Sequence, residues 1–115
     1  MGMDVRVSVG YGFRVDEAKL ESVYGDDVWE AIWRSVEPSN GLLTYVSGSG
    51  YDDDPSFAVV VERTMCRIEP LYGYGGLAVS DGFVDVTEAE GTALKAAYDL
   101  VGEGDFQVIT AVRCS

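Results

Sequence analysis

The residues most capable of chemistry lie in one short acidic run, Tyr51-Asp52-Asp53-Asp54. Adjacent carboxylates between strands can hold a hard cation such as calcium. A calcium loop of the EF-hand kind needs ligands at alternate positions, a glycine at the sixth and a glutamate at the twelfth. Counted from Asp52, those places hold Phe57 and Arg63, so the pattern fails. A second run, Gly73-Tyr74-Gly75-Gly76-Leu77-Ala78, fits the GxGxxA form of a dinucleotide fingerprint. That fingerprint must open a helix. Here Val79-Ser80-Asp81-Gly82 follows, which breaks one, so the run reads as a turned or flexible loop. Histidine is absent, which removes the usual base for a serine or cysteine nucleophile. Lys19 and Lys95 are the only lysines, and both fall on expected helices among polar neighbours. With 20 acids, carboxylate pairs can be drawn anywhere and none is informative. No catalytic residue, metal site or cofactor site is expected.

The aromatic residues point elsewhere. Trp29 and Trp33 stand one helical turn apart, and Tyr72 and Tyr74 sit in the glycine-rich stretch. Trp and Tyr are favoured anchors at protein interfaces. Two readings follow for the tryptophans: they pack their helix on a sheet, or one joins the tyrosine loop in an exposed recognition surface.

The elements that would position these groups are legible from periodicity. Val5, Val7, Val9, Tyr11 and Phe13 alternate with Arg6, Ser8, Gly10, Gly12 and Arg14, the period of a strand. Gly10 and Gly12 imply a bend or the close passage of a neighbour. Asp16 is placed to cap a helix whose face is Leu20, Val23 and Tyr24, with Gly25 closing it. Asp26 or Asp27 caps a second helix, with Trp29, Ile32, Trp33 and Val36 as its apolar stripe and Pro38 as its end. Strands are expected over 42–47 and 57–61, joined as a hairpin, the second reaching towards Ile68. Short strands are expected at 76–80 and 83–86. Thr87 and Glu90 form a capping box for a helix with Leu94, Ala97, Tyr98 and Val101 inside and Gly102 at its end. A last strand covers 106–114. The order β-α-β-β-α-β, its first helix in two pieces, is that of a ferredoxin-like split βαβ unit. The expected fold is therefore one small α+β domain over 1–115, a mostly antiparallel sheet packed by helices.

Bulk properties narrow the partners. The net charge is −12, from 20 acids against 8 bases. Such a field repels phosphate backbones and anionic membranes and attracts basic protein patches. Neither direct nucleic-acid binding nor membrane association is expected; a protein with a basic patch is. Cys66 and Cys114 lie far apart and make no CxxC pair. They read as reduced thiols of a cytoplasmic protein. The N-terminus alternates polar and apolar residues, unlike a signal peptide.

The opening "VSVGYGF", the stretch "LLTYVSGSGYDDDPSFAVVVE" and the Arg-over-Lys, Val/Ala/Gly/Asp-rich usage resemble small acidic accessory proteins of phages that infect high-GC actinobacteria. The resemblance implies a small product acting inside an infected bacterium, often by binding a host protein. It transfers no functional residue. The resulting expectation is a non-enzymatic protein-binding domain that modulates a host protein. Tyr51, Asp52, Asp53, Asp54, Tyr72 and Tyr74 are its candidate contacts. The alternatives are a self-assembling structural protein and an acidic mimic of nucleic acid that blocks a DNA-binding protein.

Overall fold

The computed structural model describes residues 5–49, 55–68, 76–80 and 84–114. β1 (Val5–Val15) leads into α1 (Glu17–Tyr24) and α2 (Val28–Val36). A 3-10 turn, Glu37–Ser39, precedes β2 (Leu43–Gly48) and β3 (Ser56–Val61). A second 3-10 turn, Glu62–Thr64, separates β3 from β4 (Cys66–Ile68). β5 (Gly76–Ser80), α3 (Glu88–Val101) and β6 (Gly102–Cys114) follow.

The strands form one antiparallel sheet in the order β2-β3-β1-β6-β5, with β4 also pairing β1. Its first four strands have the split βαβ order that the sequence suggests. β5 adds an edge beyond β6. The expected hairpin is β2–β3, with Leu43 opposite Val61 and Gly48 opposite Ser56. The long strand expected to reach Ile68 is instead broken at Glu62–Thr64. There the Thr64 Oγ1 accepts from the Tyr11 N–H at 3.0 Å, and its hydroxyl donates to the Val61 carbonyl at 2.7 Å. A side chain thus replaces the ladder bond that β1 loses at the break. The strand expected at 83–86 is not formed over its described part, 84–86, which is irregular.

Phe57–Val61 is apolar without alternation because both of its faces are covered. Phe57, Val59 and Val61 face the helices and join Phe13, Leu20, Ile32 and Leu94 in the main core. Ala58 and Val60 face the other way, into a smaller cluster with Val46, Ile109 and Ala111. The sheet curls over this second cluster far enough for the Ser49 N–H to reach the Val112 carbonyl at 3.0 Å. The two glycines of β1 serve that curl. A Cβ at Gly12 would run into the Val59 carbonyl, and one at Gly10 would stand 2.8 Å from the Val60 Cβ. Close passage of a neighbouring strand is therefore what fixes them as glycine.

The helices begin where their caps place them. Asp16 Oδ1 accepts from the Ala18 N–H at 2.9 Å, and Asp27 Oδ1 from the Glu30 N–H at 3.3 Å. Of the two aspartates proposed for α2, Asp27 is the cap. Thr87 and Glu90 complete the capping box of α3. Among the described residues, no helix is long and apolar enough to cross a membrane.

The cysteines lie on opposite sides of β1. Cys66 pairs with Val9 and Cys114 with Val5. Two strand spacings, about 10 Å, and a four-residue stagger of about 13 Å separate them. A disulfide needs Cα atoms within about 7 Å, so no bond joins these two within one molecule.

Candidate binding surface

α2 departs from its expected stripe. Its buried residues are Ala31, Ile32, Ser35 and Val36, whereas Trp29 and Trp33 lie outside, 40% and 53% exposed. The helix is rotated so that small residues enter the layer between its neighbours. Ala31 is completely enclosed, and Ser35 fits because its hydroxyl donates back to the Ile32 carbonyl at 2.6 Å. An indole at either place would not fit a close-packed layer. α1 shows the same shift in smaller form: Leu20 is buried, Tyr24 half-buried, and Val23 45% exposed.

The tryptophans differ in setting. The Trp29 ring meets the buried Phe57 ring edge-on at 5.1 Å, and Phe57 meets Tyr45 at 6.3 Å. Trp29 is thereby held on the β2–β3 hairpin. Trp33 follows one turn later, on the same flank, more open to solvent. Glu30 and Glu37 are exposed on the adjoining outward arc, with Arg34 beyond them. Asp26 and Asp27 stand at the N-terminal end. Two indoles beside carboxylates suit an aromatic and cationic counterpart, since a guanidinium can lie on an indole face while its N–H groups reach a carboxylate.

The six candidate contacts, Tyr51, Asp52, Asp53, Asp54, Tyr72 and Tyr74, all lie outside the described residues. The acidic run precedes Phe57, the ring on which Trp29 rests, by only three residues.

Two polar features outside this surface have clear structural work. Glu90 is 4% exposed on the inner face of α3. Its carboxylate receives the Arg63 Nε–H at 3.1 Å, an Arg63 Nη2–H at 2.9 Å and the Thr87 N–H at 2.8 Å. Arg63 also donates to the Asp85 carbonyl at 2.8 Å. The Arg63 hydrogen bond, aided by the Thr87 N–H, pulls the Glu90 carboxyl down to about 2. The pair ties the turn after β3 to the start of α3. Lys19, weighed above as a base, donates from Nζ to the Gly102 carbonyl at 2.9 Å. That cation sits at the C-terminal end of α3, where the helix dipole favours it.

The capping box made Glu90 legible as an N3 residue, but its partner Arg63 was not, because only the fold brings them together. Among the described residues, no three His, Cys, Asp or Glu side chains converge as metal ligands. No family model, curated protein or solved structure matches the chain.

Proposed function

We propose that the chain is a non-enzymatic protein-binding domain that docks a basic, aromatic-accepting surface of another protein on the Trp29–Trp33 flank of α2. The observation that carries this is the exposure of two tryptophans one turn apart on a packed helix. Large aromatics on a rigid element contribute contact area at little cost in conformational entropy, and Trp is the residue most enriched among energetic anchors. The net charge of −12 and the carboxylates of Glu30 and Glu37 supply the electrostatic half, drawing in a partner of opposite sign. The acidic run at Asp52–Asp54 lies three residues before Phe57 in sequence and carries charge of the same sign. The resemblance to phage accessory proteins makes a host bacterial protein the first partner to seek.

The test is affinity capture from an actinobacterial extract at low and high salt, comparing the wild type with Trp33→Ala. The wild type is expected to retain one stoichiometric protein that high salt releases. Trp33→Ala should lose about tenfold or more in affinity, the scale of an interface anchor. Equal recovery by both proteins would remove this surface from the account. Recovery of the chain alone, as a defined oligomer by light scattering, would favour self-assembly instead.

A further inference from the structure

A second surface lies on the other flank of α2. Between the end of α2 with its 3-10 turn and α3, the helical layer leaves a groove with about 380 Å3 of open space. Leu43 floors it, Pro38 and Leu100 wall it, and Ala93, Ala96 and Ala97 keep the α3 side low. It continues past Leu42 to Ala89 and Glu88 at the start of α3. Ala89, Ala93, Ala96 and Leu100 follow a 4-3-4 spacing, that of a seam against another helix. From Ala89 to Leu100 the groove runs about 17 Å, three helical turns. Leu100 is 47% exposed, so this seam has no cover among the described residues.

Charge indicates what fits. Glu62 and Glu88 are exposed beside the mouth at the start of α3. Glu88 lines the groove, and the Glu62 N–H donates to the carbonyl of Leu42, which also lines it, at 2.9 Å. Arg63 does not neutralise them, being bound to Glu90 and the Asp85 carbonyl. Arg34 and Lys95 are not among the groove-lining residues. A second copy of the chain is a poor occupant. α3 carries Glu88 near one end and Asp99 near the other, so a parallel or an antiparallel pair would oppose like charges.

We propose that this groove seats an amphipathic helix of a partner protein, its apolar stripe on the alanine seam and its basic end at Glu62 and Glu88. The site is separate from the tryptophan flank, and each can fail without the other. The probe is a fluorescein-labelled helical peptide of about four turns, with leucine at the seam positions and lysine elsewhere. Its twin has glutamate for lysine. Binding is read by anisotropy, and folding of each variant by circular dichroism. The lysine peptide should bind and its twin should not. Ala96→Trp, at an exposed helical position, should fill the groove and weaken binding about tenfold or more, the loss expected when a central contact is blocked. Trp33→Ala should leave the affinity within about twofold. Should Ala96→Trp misfold, Ala89→Trp makes the same test nearer the mouth. Equal binding by the wild type and the groove-filled variant would show that charge alone holds the peptide and would overturn the proposal. Loss in Trp33→Ala without loss in Ala96→Trp would also overturn it, placing the peptide on the tryptophan flank. Failure of the lysine peptide to bind the wild type would do so as well.

Discussion

Single residues carry sharply different burdens in this fold. Gly12 has no room for a side chain, because the Val59 backbone occupies the place of its Cβ. Gly12→Ala should therefore destabilise the protein by about 3 kcal/mol, the upper range of overpacking, measured by urea unfolding. A change below about 0.5 kcal/mol would mean that β1 and β3 can separate cheaply. Glu90 yields a prediction in pH. Its folded-state carboxyl is depressed to about 2, mainly by Arg63, whereas an unfolded glutamate titrates near 4.3. A depressed carboxyl stabilises the fold above the unfolded value, and that contribution disappears as pH falls through the folded one. Glu90→Gln should thus be less stable than the wild type at pH 7, with the gap narrowing as pH approaches about 2. A gap in urea midpoint that stays constant with pH would detach the effect from the Glu90 charge. Trp33 contrasts with both, since its exposure leaves it little structural work.

Elements were legible wherever the local pattern and the tertiary demand agreed. The alternation of β1, the Asp16 cap and the Thr87–Glu90 box all act within a few residues, and all stand in the fold. The unbroken apolar run of β3 marked a strand, and the fold covers both of its faces. In α2 periodicity alone left the tryptophans open to two readings. Trp29, Ile32, Trp33 and Val36 form a stripe, but so do Val28, Ala31, Ile32, Ser35 and Val36, and the tight helical layer selects the smaller set. Periodicity cannot choose between stripes about one residue apart, because the space left by α1 and α3 decides. The break in the β3–β4 strand was hidden for a similar reason, since it rests on Thr64 reaching Tyr11 on β1. The rotation of α2 makes its own prediction. Ile32→Ala should cost about 2–5 kcal/mol, as buried aliphatic truncations do. Trp33→Ala should cost less than about 1 kcal/mol. Comparable losses for the two would return Trp33 to the core and remove the proposed surface.

At the scale of the whole molecule, the fold divides labour between its faces. One side of the sheet is closed by its own curl over Val60 and Ile109, and the other by helices whose outer arcs present Trp29, Trp33 and Leu100. Two exposed tryptophans one turn apart, on a helix of an acidic chain, are what support the proposed docking face. The acidic run and the tyrosine loop were visible in the sequence as candidate contacts. The tryptophan flank emerged only with the orientation of α2, although the residues themselves had been singled out. The most direct test places a photocrosslinking benzoylphenylalanine at position 33 and, in a second protein, at position 106, where Phe106 is exposed on β6 away from α2. In an actinobacterial extract, covalent capture of one protein is expected from position 33, reduced by high salt, and none from position 106. Capture from position 106 alone, or equally from both, would contradict it.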